Sequence, residues 1–228
     1  ENPGKKSFLI GHSMGAMAVQ SYGIEYPGDV DGIVSNGGGI FMNPWGKSTQ
    51  YPQTIVADNL TEKERNASPA LTKKLPLESM TSYQSKLLPK ALKDRRNFTA
   101  PSGTAASQTV RVKNPLSNGV CTDQTVVDDY VADPLNNKDF TVGMVEQMSV
   151  AQVYNAVNAP DFTTPTLIMH GQSDGIAPPY LDINWLNAIG SNDKTGYEWS
   201  GLMHEIFNEP VKDQPINKVV DWINNHNK

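Results

Sequence analysis

"SFLIGHSMGAMAVQSY", Ser7 to Tyr22, sets three apolar residues against a glycine, a serine and a second glycine, with a helix-like run directly behind. Phe8-Leu9-Ile10 shows no alternation with polar residues, the pattern of a strand buried on both faces. Met14 to Tyr26 carries small and apolar residues suited to a helix packed on a sheet, and Pro27-Gly28 stops it. At the junction stands Gly11-His12-Ser13-Met14-Gly15, a G-x-S-x-G pattern. A strand that turns at once into a helix forces its middle residue into a strained backbone. Glycines on both sides let the chain approach itself closely, and Ser13 Oγ is then expected to stand free at the strand's C-terminal end as a nucleophile. The following helix aims its first N–H groups at a developing oxyanion, with the Met14 amide as the expected donor. The five letters alone would also fit a glycine turn that merely joins strand to helix. The strand on one side and the helix on the other favour the catalytic reading.

Working outward, Val30 to Ser35 reads as the next strand, followed by a break at Asn36-Gly37-Gly38-Gly39. From about Phe41 to Tyr154 the pattern loosens, with loop signals at Asn114–Gly119 and Asp133–Asn137 and short helical runs at Leu75–Lys93 and Thr141–Asn155. Alternation returns with a strand at Thr166–Met169, a helix at Pro179–Ile189, a strand around Tyr197–Trp199 and a last helix at Pro215–Asn225. In that helix Ile216, Val219, Val220 and Ile223 mark the apolar side. Strand–helix alternation of this kind implies an α/β fold with a parallel sheet. Residues 1–42 and 155–228 are assigned to this core, and residues 43–154 to an inserted, mostly helical cap.

The bulk properties exclude several function classes. The 228 residues are 38% hydrophobic and 19% charged, enough for a substantial core. A net charge of −5 and the lack of a basic run argue against nucleic acid as partner. No apolar run approaches the roughly 20 residues that span a bilayer. The single cysteine, Cys121, cannot form an internal disulfide or a cysteine-built metal site, and it reads as a small apolar filler. The histidines are scattered, so no metal site is expected. The compartment stays open.

A nucleophilic serine needs a base, and the base needs an orienting carboxylate. Of the four histidines, His12 lies inside the turn, where its ring should point away from Ser13. His170 closes a strand and reads as a packed or loop-bonded residue, and His226 lies in the tail. His204 sits in a loop between the last strand and the last helix, from which it can reach back over the strand ends. It is the expected base, with a structural histidine as the alternative. For the acid, Asp174 follows the strand Thr166–Met169 on the same rim as the turn, whereas Asp161, Asp182 and Asp193 read as solvated surface residues.

With Ser13, Asp174 and His204 in that order, the chain resembles the monoacylglycerol lipase and lysophospholipase branch of the serine α/β-hydrolases. Four segments carry the resemblance: FLIGHSMG (Phe8–Gly15), DPL (Asp133–Leu135), PTLIMHGQSDGIAPP (Pro165–Pro179) and HEIFNEP (His204–Pro210). The last is the most specific. The resemblance implies an α/β-hydrolase fold, Ser13 as nucleophile, Asp174 as acid and His204 as base, with no cofactor. It implies a cap forming an apolar funnel for an acyl chain, to which Met17, Met42, Met80, Met144 and Met148 are candidate contributors, and His12 is a further candidate at the substrate. A lipid-like or small ester is the implied substrate, and a transient contact of the cap with a membrane surface is compatible with it.

Against that family, no strands or His-Gly loop are found ahead of Phe8 to supply the second oxyanion N–H. Phe8-Leu9-Ile10 is therefore expected to show an unpaired edge, completed by a second polypeptide or a further N-terminal segment. The rival readings are an acyltransferase, thioesterase or peptidase with the same triad, and a non-catalytic remnant.

Overall fold

The computed structural model describes residues 4–45, 55–56, 81–99, 105–114, 116 and 119–228. Its main sheet has five parallel strands in the order β1-β2-β6-β7-β3. They are β1 (Phe8–His12), β2 (Gly32–Asn36), β3 (Ile55–Val56), β6 (Thr166–Gly171) and β7 (Lys194–Trp199). A separate antiparallel pair joins β4 (Arg111–Lys113) to β5 (Asp139–Thr141). The helices are α1 (Met14–Glu25), α2 (Ser82–Lys93), α3 (Ala105–Thr109), α4 (Gln124–Ala132), α5 (Val142–Asn158), α6 (Tyr180–Ala188) and α7 (Asp213–His226).

Side-chain alternation along β2 and β6 divides the core between the two faces of the sheet. Ile33 and Ile168 point into one cluster with Ile24, Val153, Val157, Phe162 and Trp185, contributed largely by α1, α5 and α6. Val34, Leu167 and Met169 point into the other, with Trp199, Val219 and Trp222 under α7. Every residue of β2 and β6 is buried, as a central parallel strand requires. β1 is different. It forms one edge of the sheet, and Ile10, read as part of a strand buried on both faces, is 53% exposed. In α7 the buried face is Pro215, Val219 and Trp222, while Ile216 and Val220 are exposed. Of the apolar stripe expected there, Val219 and Ile223 pack on the core, joined by Trp222, whose ring lies edge-on to Phe8 at 5.9 Å.

The segment assigned to the cap is less separate than its loose pattern suggests. Ile55–Val56 lies inside it yet pairs with β7 in the main sheet. Helix α5 runs straight through the expected boundary at 154/155. Its first turns carry Met144 and Met148, and its later turns bury Val153, Ala156 and Val157 in the core. Leu87, Leu88 and Ala91 of α2 join the same core cluster. Asn155 secures α5 to α1 by accepting from Ser21 Oγ (2.7 Å) and donating to the Met17 carbonyl (3.0 Å). No helix among the described residues is long and apolar enough to cross a membrane.

Candidate active site

Ser13 sits between β1 and α1 with φ 55° and ψ −120°, and it has the one positive φ of any non-glycine among the described residues. Such a conformation costs on the order of 1–3 kcal/mol and persists only where its surroundings over-determine it. Two contacts hold it. The Ser13 amide donates to the Asn36 carbonyl at 2.8 Å, which ties the turn to the end of β2. At Gly11, a Cβ would stand 2.3 Å from the Gly15 carbonyl oxygen, so strand and helix approach too closely for a side chain. A Cβ on Gly15 itself would meet nothing, so only the first of the two flanking glycines is required by packing.

Asp174 and His204 are brought together from loops after β6 and β7. His204 Nδ1 lies 2.7 Å from Asp174 Oδ2, and both side chains are almost fully buried. The other Asp174 oxygen accepts from the amides of Ile176 (2.8 Å) and Ala177 (2.9 Å). Burial alone would raise the Asp174 carboxyl, but the His204 hydrogen bond and the nearby imidazole charges outweigh it and hold the group below its usual range. His204 Nε2 is buried without a hydrogen-bond partner among the described residues, so it is not bonded to Ser13 Oγ in this structure. The ring of His12, expected to point away from Ser13, packs beside the His204 ring. It lies 4.6 Å from the His204 ring, and its Nδ1–H donates to Asn36 Oδ1 over 2.9 Å, linking the serine turn to the expected base. Burial, then the charge of His204, lower the His12 pKa.

Ser13 and Met14 open onto a cavity of about 500 Å³. Its wall includes Phe41, Phe140, Met144, Met148, Ile176 and Leu181, and Lys113 is the charged residue at its lining. Two of the methionines expected at a funnel are therefore at this wall. Met17 is buried within α1 and Met42 packs against the core, neither lining the cavity, and Met80 falls outside the described residues. His12 is also absent from the lining, its ring being occupied by His204. Among the described residues no cluster of His, Cys, Asp or Glu could hold a metal ion.

Three features of the site were not assigned from sequence. Gly37, with φ 63°, lies against the pair: a Cβ there would stand 3.1 Å from His204 Cε1 and 3.7 Å from Asp174 Oδ2. Glu209, fully buried, accepts from the amides of Met203 (2.7 Å) and Thr122 (3.1 Å) and from the Thr122 hydroxyl. It thereby anchors the His204 loop to residues 120–122, as does the Glu205 amide by donating to the Val120 carbonyl. Asp182, read as solvated, is 2% exposed and lies 2.7 Å from His170 Nδ1. The signals available were the place of Glu209 in the HEIFNEP segment and of Gly37 in the glycine break at 36–39, neither of which assigns the contact made; nothing local marks Asp182.

A parallel sheet flanked by helices, with a strained serine at a strand–helix turn and a buried Asp–His pair on the same rim, is the α/β-hydrolase fold. The chain belongs to the Hydrolase_4 family (serine aminopeptidase, S33), whose sequence profile matches residues 1–211. It is similar to a monoacylglycerol lipase of Mycolicibacterium smegmatis, at 24% identity over 227 residues, 99% of this chain and 65% of that protein. A crystal structure of the Paleococcus ferrophilus monoacylglycerol lipase matches with a TM-score of 0.64 and 21% identity, over 98% of this chain and 70% of that one. A soluble variant of monoglyceride lipase from Saccharomyces cerevisiae, in complex with a substrate analog, matches with a TM-score of 0.63 and 19% identity, over 99% and 64%. The chain thus spans about two-thirds of the length of such relatives.

Proposed function

We propose that the chain carries the catalytic residues of a serine ester hydrolase acting on monoacylglycerol-like or lysophospholipid-like esters. The observation that carries this reading is the strained Ser13 at the mouth of an apolar cavity, on the rim where His204 pairs with the buried Asp174. In the reaction, Ser13 Oγ attacks the ester carbonyl while His204 Nε2 takes its proton. The Met14 amide donates to the oxyanion, and His204 returns the proton to the leaving alcohol. Water then repeats the cycle on the acyl-enzyme. Asp174 fixes the tautomer by accepting from His204 Nδ1–H and stabilises the imidazolium. With the Met14 amide as the one donor assigned among the described residues, the oxyanion hole needs a second. A further strand adding at the exposed edge of β1, from this or another polypeptide, is the natural source of a second donor.

The family's aminopeptidase description favours a second reading, amide hydrolysis at a free amino terminus. A site of that kind needs a carboxylate to hold an ammonium group, and among the described residues the charged side chain lining this cavity is Lys113. Apolar walls suit an acyl chain better.

The test is labelling with a fluorophosphonate, alongside turnover of p-nitrophenyl esters, monoacylglycerols and aminoacyl amides. Labelling and ester turnover that vanish in Ser13→Ala are expected. A folded protein that takes up no label, or that cleaves only the amides, overturns the proposal.

A further inference from the structure

His170 is not accounted for by the triad, yet it is buried directly behind it. Its Nε2 lies 3.5 Å from Asp174 Oδ2, the same oxygen that His204 Nδ1 meets at 2.7 Å. Its Nδ1 lies 2.7 Å from Asp182 Oδ2 on α6. On the neighbouring strand β7, Glu198 stands directly opposite His170 in the sheet register and is 1% exposed. One imidazole therefore faces three carboxylates from three elements, with His204 beyond the first. The remaining surroundings among the described residues are Ile168, Pro179, Ile183, Leu186, Gly196, and Tyr197, whose hydroxyl accepts from Lys218.

We propose that His170 is a positioning residue for the proposed ester hydrolysis: as a cation anchored by Asp182, it holds the Asp174 carboxylate from behind and balances its charge. The proposal rests on the serine hydrolase reading. Its physical basis is charge balance in a buried site. An isolated carboxylate is costly to bury and an imidazolium between two of them offsets that cost. At 3.5 Å the His170–Asp174 contact is electrostatic rather than a good hydrogen bond, so Oδ2 stays available to His204. Burial alone would lower the His170 pKa, but the Asp182 hydrogen bond and the charges of Asp182, Asp174 and Glu198 raise it above the ordinary value. Glu198 is itself pushed up to about 7 by burial, against the opposing charge of His170. The three carboxylates around His170 thus favour the charged form of its ring relative to an ordinary histidine.

Replacing it by a neutral group leaves Asp174 and Asp182 uncompensated and favours the protonated form of the His204–Asp174 pair. In His170→Gln the acidic limb of kcat/KM should move up by about one pH unit, with kcat reduced and KM little changed. Histidine NMR of the wild type should show His170 still protonated at pH 7. In Asp182→Asn, which covers the case that His170→Gln does not fold, its titration should move down and kcat fall at constant KM. A neutral His170 at pH 7 in the wild type overturns the proposal. So does a folded His170→Gln protein whose acidic limb is unmoved. If the wild type proves to have no esterase activity, the hydrolase reading fails separately. The low-field Nδ1 proton of His204 then decides: it should differ between wild type and His170→Gln, and identical resonances overturn the positioning role.

Discussion

Gly37→Ala is the sharpest probe of the site, because it adds one methyl group against the pair without replacing a catalytic side chain. Gly37 has φ 63°, so an alanine there adopts the left-handed region at a cost of about 1 kcal/mol. In a domain of this size that lowers Tm by about 3 °C. The new Cβ would also stand 3.1 Å from His204 Cε1 and 3.2 Å from Nδ1. Ordinary carbon contacts begin near 3.5 Å, so the ring must yield by about 0.3–0.5 Å. The ring has little freedom to do so, since Asp174 holds Nδ1 at 2.7 Å and the His12 ring lies at 4.6 Å. A catalytic group misplaced by 1 Å can cost about a hundredfold, and a shift of this smaller size should cost about tenfold in kcat. The assay pairs p-nitrophenyl ester turnover with thermal melting. Gly175→Ala serves as control, because a Cβ at that neighbour of Asp174 meets nothing within 4 Å. A Gly37→Ala enzyme with a lowered Tm and wild-type turnover would refute the claim that the backbone at Gly37 positions the base.

The other expectations concern buried carboxylates and the cavity. Glu209→Gln keeps one acceptor oxygen but turns an amide donor toward Met203 N or Thr122 N; a loss of about 2–3 kcal/mol in chemical denaturation is expected, with kcat falling more than KM changes. Glu198, ordinarily near 4.5 and raised here to about 7, retains its proton in the folded chain where the unfolded chain has released it, so its contribution to stability is lost as pH rises from about 4.5 to 7. The wild type should lose up to about 3 kcal/mol across that window, and Glu198→Gln should flatten the profile when denaturation is followed from pH 5 to 8. Met148→Lys, at the cavity wall, should raise KM for a dodecanoyl ester by about tenfold or more, since each methylene displaced from apolar contact costs about 0.8 kcal/mol; KM for the acetyl ester should stay unchanged.

What the sequence made legible divides along the range of the interactions involved. The serine turn is a five-residue event, and its glycine, its serine and the change from strand to helix pattern all lie within one short stretch. The positions of β6, α6 and α7 follow from equally local periodicity, to within a few residues at each end. The three apolar letters at 8–10 would read the same in the middle of a sheet, and the unpaired edge expected of them came from the family resemblance and not from local periodicity. The boundary expected at 154/155 falls within helix α5 for a similar reason. Helix α5 has one continuous pattern, and only packing partners distinguish the turns over the cavity from the turns in the core.

Asp174 and Asp182 carry this reasoning furthest. Both follow β6 within twelve residues and neither has a local signature of burial, so rim position alone favoured the first and sent the second to the surface. In the fold both are buried, and each lies 2.7 Å from a different imidazole. The difference comes from the loops. The Ser173 amide donates to the Leu202 carbonyl at 2.8 Å, which draws the Asp174 turn against the loop carrying His204, while α6 carries Asp182 back over His170. A buried carboxylate must find a cation or several donors. Four histidines in 228 residues therefore constrain where acids can be buried more tightly than any local pattern does. Two of the four have rings almost wholly buried, at His170 and His204, and both meet Asp174 Oδ2. On that ground the acid of the site is better described as one carboxylate held between two imidazoles than as the last member of a three-residue chain.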